Sequence, residues 1–199
     1  MRQAPEVHVP PQSAASKVFA ASERINQILI EKLDPALWVA DTPGKVRTIA
    51  AIFTHMHNTR RKWIRLTAPH LVVPALLKRG NCSREQASTS LAESAVGCME
   101  MLEEAIGSRA GRIQFFRRDG WAAAWPAGLE MLSYMTSHEA HHRGQACMLA
   151  HQLGFPLSAE TTSLTWNWER LWKELGCSTG PGRSSDNRRG RPVSRLGPG

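Results

Sequence analysis

Ser137-His138-Glu139-Ala140-His141-His142-Arg143-Gly144-Gln145 is the stretch on which the reading of this chain turns. On a helix, residues four apart share one face about 5–6 Å apart at Cβ, so His138 and His142 would stack on adjacent turns. Two imidazole nitrogens presented in this way can close on one metal ion. Spacing alone does not establish a metal, because such a pair is more commonly satisfied by hydrogen bonds or solvent. A third ligand from elsewhere in the fold would reverse that balance. Glu139 directly after His138 invites comparison with the zinc-protease helix, but the third ligand of that pattern does not follow. Glu139 is instead expected to face solvent or to pair with a basic side chain. Arg143 is expected to link to a carboxylate or helix end rather than to bind an anionic substrate.

The helix that carries these residues is predicted to begin near Trp125-Pro126 and to end at a Gly154 C-cap, with Leu129, Leu132, Met135, Ala146 and Leu149 inward. Upstream, three further segments have helical periodicity. The first runs from about Ser16 to Leu33 and stops at Asp34-Pro35. The second takes Thr42-Pro43 as its start and carries Val46, Ile49, Ile52, Phe53, Met56 and Ile64 to about Ala68. The third opens at the capping box Ser83-Arg84-Glu85-Gln86 and reaches Gly107. Residues 69–81 read as an apolar connector packed on the bundle, and residues 108–120 as a basic loop. Trp166, Trp168 and Trp172 belong to a short closing helix laid across one end, where they could wall or close a path to the interior. The fold class is therefore all-α, a four-helix bundle with an additional short C-terminal helix.

The net charge of +8 suggests nucleic acid until it is divided along the chain. Residues 178–199 hold five arginines against Asp186, which is +4 of that total. This Gly, Pro, Ser and Arg tail has too little apolar surface to offset the entropy of ordering, and disorder is expected there. A flexible arm over residues 1–14, a bundle over residues 15–177 and the tail make up the expected organisation. Specific nucleic-acid binding is not expected, since no recognition motif accompanies the arginines. The N-terminus has no signal-like apolar run and no segment reaches membrane-spanning length, so the expected location is the cytoplasm, with no membrane partner. Cys82, Cys98, Cys147 and Cys177 form no CxxC pair, which fits reduced thiols.

The second helix offers two candidates for the third ligand, His55 and His57. At 100° per residue His57 falls nearer the centre of the apolar stripe and His55 lies on its flank with Thr48, Ile52 and Thr59. Periodicity points to His57, while bundle sites at the seam between two faces leave His55 open.

Ile49-Ala50-Ala51-Ile52-Phe53-Thr54-His55-Met56, followed by Arg60, Trp63 and Ile64, resembles the second-helix histidine motif of the DinB/YfiT-like metalloprotein superfamily. His138-x-x-x-His142-Arg143-Gly144-Gln145 followed by Leu153-Gly154 resembles its last-helix motif, the more specific of the two. The match spans about Ala15 to Trp172. In that family the second-helix ligand follows an apolar pair two and three residues earlier, here Ile52-Phe53, and the resemblance therefore selects His55 over His57. It further implies an up-down-down-up bundle, one divalent metal ion on His55, His138 and His142, and a homodimer. Water or substrate would complete the metal shell.

Zinc or nickel suits three imidazoles. In members of known activity the resemblance points to thiol-S-transferases and thiol-dependent isomerases; the expected function here is a thiol-S-transferase-like or hydrolase-like enzyme acting on a small molecule, with a low-molecular-weight thiol as a candidate partner. A non-catalytic, metal-stabilised dimeric bundle is the alternative, and a side-chain-filled cavity near the histidines would favour it. His141 could line the cavity or face a neighbouring helix, and His141 or Gln145 could either support the ligands from behind or simply pack.

Overall fold

The computed structural model describes residues 13–177 apart from 43, 45, 79–81 and 121–122. The expected N-terminal arm, all but its last two residues, and the expected tail lie outside the described residues. Four long helices make the body: α1 (Ala14–Lys32), α2 (Ile49–Thr67), α3 (Arg84–Ile106) and α4 (Leu129–Gln152). A 3-10 turn at Pro35–Trp38 follows α1. Two short strands, β1 (Phe115–Phe116) and β2 (Trp125–Pro126), precede α4, and α5 (Ala159–Trp166) and α6 (Trp168–Glu174) follow it. Among the described residues no helix is long and apolar enough to cross a membrane.

The helix starts and stops follow local chemistry. Ser13 caps α1 in a capping box with Ser16, and Ser83 caps α3 in one with Gln86. For α2 the start signal at Thr42 is not used. Thr48 is the N-cap instead, its hydroxyl accepting from the Ala51 N–H at 3.1 Å. The Thr42 hydroxyl donates to the Val46 carbonyl at 2.8 Å, and Gly44 has φ +67°, a left-handed backbone that no α-helix continues through. Val46, expected on the inward stripe, is accordingly exposed.

The start of α4 also moves. Trp125 and Pro126 pair antiparallel with Phe116 and Phe115 instead of opening the helix. Pro126 has no N–H to give a longer ladder, which suits a two-residue edge pairing as well as it suits a first helical turn. The pairing places Trp125 edge-on to Tyr134, ring centroids 5.6 Å apart, and beside Phe116 at 6.4 Å. The helix then begins at Leu129 after Gly128, and Leu129 is exposed rather than inward. At the other end Gly154 has φ +86° just past the last turn, the left-handed residue that terminates the helix.

Two core clusters fix the direction of every helix. One joins the beginnings of α1 and α4 to the ends of α2 and α3 through Phe19, Trp63, Met101 and Met131. The other joins the ends of α1 and α4 to the beginnings of α2 and α3 through Leu29, Phe53, Leu91 and Leu149. The bundle is therefore up-down-down-up, with α2 parallel to α3 and α1 parallel to α4. Parallel α2 and α3 require a connector that travels the length of the bundle, and residues 68–78 run back along α2. Arg61 donates to the Pro74 carbonyl, and Asn58 donates to the Leu77 carbonyl at 2.9 Å and accepts from the Leu77 N–H at 3.2 Å.

The expected closing helix is two helices, split at Asn167, whose side chain caps α6 by accepting from the Arg170 N–H at 3.0 Å. They do not lie across the bundle end. Leu171 and Leu164 pack on Ile25 and Ile28 along the flank of α1.

Candidate metal centre

Helices α2 and α4 run antiparallel and face each other, which brings His55 to the pair on α4. The ligating atoms of His55, His138 and His142 all lie within 4.8 Å of one another. The Nε2 atoms of His138 and His142 are 3.2 Å apart. Two nitrogens held at about 2.0–2.1 Å from one ion at the tetrahedral angle would stand about 3.3–3.4 Å apart. The observed separation is close to that figure. The rings of His55 and His142 meet edge-on with centroids 4.6 Å apart.

His142 is oriented from behind. Its Nδ1 lies 2.7 Å from Gln145 Oε1, and the Gln145 amide nitrogen lies 3.0 Å from His141 Nε2. With Nδ1–H donating to Gln145, the lone pair on Nε2 is directed at His138. His138 Nδ1 is buried with no hydrogen-bond partner among the described residues, which leave this ring under-satisfied. Trp63 stands edge-on to the His138 ring at 5.3 Å, and Tyr134 lies 6.2 Å away.

Burial, reinforced by the neighbouring His142 and His55, lowers the His138 pKa from its ordinary value to about 3. Burial also lowers His142, against the opposing hydrogen bond from Gln145. The two imidazoles of α4 are thereby kept neutral, the form that ligates metal.

His57, the residue favoured by periodicity, is turned elsewhere. It is fully buried between α3 and the connector, with Nδ1 3.1 Å from Ser94 Oγ and Nε2 2.8 Å from the Ala75 carbonyl. Both ring nitrogens are occupied with holding the connector in place.

Of the two surroundings expected for Glu139, solvent or a basic partner, the structure shows the second, and its carboxylate is not part of the histidine group. It is completely buried and takes a two-pronged contact from Arg60, Nε to Oε1 at 2.7 Å and Nη2 to Oε2 at 2.5 Å. Arg60 also meets Glu23 at 2.7 Å, and Asn26 donates to Glu139. Burial alone would raise the Glu139 carboxyl, but the Arg60 charge and hydrogen bonds outweigh it and hold the pKa below the ordinary value. The network explains why the zinc-protease comparison fails: the glutamate beside the first histidine is committed to Arg60. Arg143 links α4 to α1, though through neither the carboxylate nor the helix end expected: it donates to Ser22 Oγ at 2.8 Å and Asn26 Oδ1 at 3.1 Å within α1.

Beside the histidines lies a cavity of about 350 Å³, lined by His55, Thr59, Lys62 and Trp63 of α2 and by Arg118 and Asp119 of the turn that joins β1 to β2. That volume lies at the lower end of the range for small-molecule sites. Lys62 Nζ is 2.7 Å from Asp119 Oδ2. Trp166, Trp168 and Trp172 are not among the residues that line it. Thr59 and Lys62 follow His55 at four and seven residues, so helical spacing alone could have placed them on its face. Arg118 and Asp119 carried no such signal, because nothing in their sequence announces the hairpin.

A comparison with models of protein families matches the DinB family over residues 12–170. The chain belongs to the DinB family. No curated protein and no solved structure gave a match.

Proposed function

We propose that this DinB family protein binds one divalent metal ion, zinc or nickel, through His55, His138 and His142. We further propose that it acts there on a small molecule, as a thiol-transferase-like or hydrolase-like enzyme. The carrying observation is the convergence of three imidazoles from α2 and α4, two of whose Nε2 atoms stand 3.2 Å apart at a separation that suits shared ligation. The donor set fits: His138 is kept neutral by burial, and Gln145 directs the His142 lone pair inward. Bound in such a set, zinc lowers the pKa of a coordinated water or thiol.

Of the three histidines, His55 reaches an open cavity, which weighs against the non-catalytic bundle, where side chains would occupy that space. Trp63 and Tyr134 exclude water from one side of His138. Glu139 is committed to Arg60, and no role as a general base is assigned to it.

Metal analysis of protein purified without an affinity tag tests the reading, with about one ion per chain expected and near-complete loss in His142→Ala. Cobalt loading then separates the two chemistries. A sulfur-to-cobalt charge-transfer band on adding a thiol supports the transferase version, and its absence at a site that exchanges water supports the hydrolase version. Metal-free wild-type protein that takes up no added zinc or nickel would end the proposal.

A further inference from the structure

The cavity beside His55 has an unusual charge arrangement at its mouth. Lys62 from α2 and Arg118 from the hairpin turn line it together with one carboxylate, Asp119. The Asp119 oxygen sits 2.7 Å from the Lys62 ammonium, while its carboxyl is held below its ordinary pKa by Lys62 first and by Arg65 and Arg118 in addition. Three cations therefore act on one anion. The Arg118 guanidinium also lies 5.5 Å from the centre of the Tyr134 ring, which keeps it at the rim. The Lys62–Asp119 pair is about half exposed on both sides, and an exposed pair of this kind contributes little to stability. It can open at small cost. An internal carboxylate already seated on Lys62 shows that the geometry accepts that group.

We infer that this cavity docks a small molecule bearing a carboxylate, which displaces Asp119 from Lys62 and is met by Lys62 and Arg118, with the rest of the molecule lying toward His55. The inference rests on the metal-site reading for its catalytic meaning, since the docked molecule would then reach the position the histidines define. The docking itself needs only the cations and the cavity. A carboxylate anchored at the rim would orient its far end, which is how remote binding contributes to positioning. A volume of about 350 Å³ restricts the ligand to a compact molecule rather than a polymer.

Amide chemical shifts of the full-length 15N-labelled protein, followed during titration with succinate, succinamide or inorganic phosphate, provide the test. Succinate is expected to give saturable shifts centred on Thr59, Lys62 and Gly120, and succinamide, its uncharged analogue, none. Lys62→Ala should weaken succinate about tenfold. Asp119→Asn should tighten it severalfold, because the competing internal carboxylate is gone. His138→Ala should retain the succinate shifts, since the anchor is not the metal. Equal response to succinamide, stronger response to phosphate, unchanged affinity in Lys62→Ala, weaker binding in Asp119→Asn, or loss of binding in His138→Ala would each overturn the inference. Metal content of the wild-type protein is read separately, so failure of the metal reading and failure of the docking site are distinguishable.

Discussion

His142 Nδ1 lies 2.7 Å from Gln145 Oε1, one turn further along α4, and that contact decides which nitrogen of His142 faces His138. Gln145→Ala should therefore lower zinc affinity by roughly 10–100-fold, the usual cost of removing a partner that orients a ligand. Helix content and melting temperature should barely change, because Gln145 is exposed. Gln145→Glu, which keeps the acceptor, should recover most of the affinity in a chelator competition assay. Equal affinity in all three proteins would show that the histidine orients itself.

The two histidines of α2 should separate cleanly under substitution. His57→Ala removes the bonds to Ser94 and to the Ala75 carbonyl in the buried seam, and should cost about 1–3 kcal/mol in urea denaturation with metal content preserved. His55→Ala should do the reverse, losing metal with little change in the stability of the metal-free chain. A His57→Ala protein that folds normally but binds no metal would transfer the ligand role.

Arg60 is the sole cation in contact with the buried Glu139 carboxylate among the described residues, and it is itself fully buried. Arg60→Met leaves Glu139 and Glu23 without their cation in the bundle interior and should cost about 3–5 kcal/mol. Adding Glu139→Gln to Arg60→Met should return part of the loss, a coupling that a double-mutant cycle measures. Additive single effects would mean that the pair is not an energetic unit.

Glu103 ties α3 to the start of α1 and to the loop after α3, accepting from the Ser13 N–H at 2.7 Å, the Ser108 N–H at 2.8 Å and the Ser16 hydroxyl. Burial alone would raise its carboxyl, and these hydrogen bonds more than reverse that, holding it far below the ordinary range. The unfolded carboxyl, with a pKa of about 4.3, thus takes up its proton first as pH falls. The stabilisation is complete above that value and is lost progressively below it. Chemical denaturation between neutral pH and pH 3 should show the decline, and Glu103→Gln should flatten it while lowering stability at neutral pH.

Legibility in the sequence differed from residue to residue for physical reasons. The His138–His142 pair could be read from spacing because both lie on one uninterrupted helix. Choosing His55 over His57 was beyond periodicity: the strap of residues 68–78 covers the face His57 occupies, and a helical wheel of α2 carries no information about a non-helical segment that packs on it. The family motif selected His55, and the structure brings that residue to the α4 pair. Capping chemistry at Ser83 was legible, whereas the start read at Thr42-Pro43 gives way to Thr48, because the left-handed Gly44 and the Thr42–Val46 bond keep the intervening residues out of the helix. The hairpin before α4 has strands of two residues, too short for any alternation to register, and its burial depends on aromatic partners elsewhere in the chain. For Glu139 the sequence left two readings open, solvent or a basic partner; the second is the one realised, and Arg60 could not be named as that partner because it lies on another helix.

The parallel run of α2 and α3, with α4 last among the long helices, sets an order of events at synthesis. His55 leaves the ribosome long before His142, and at about 5–20 residues per second the interval between them is roughly 4–17 s. Throughout it, α2 and α3 can pair while the groove that α4 will occupy stays open to water and to other hydrophobic chains. The three histidines cannot meet until that last helix docks, so any ion they hold is acquired only once the bundle is closed, and its capture marks the completion of folding.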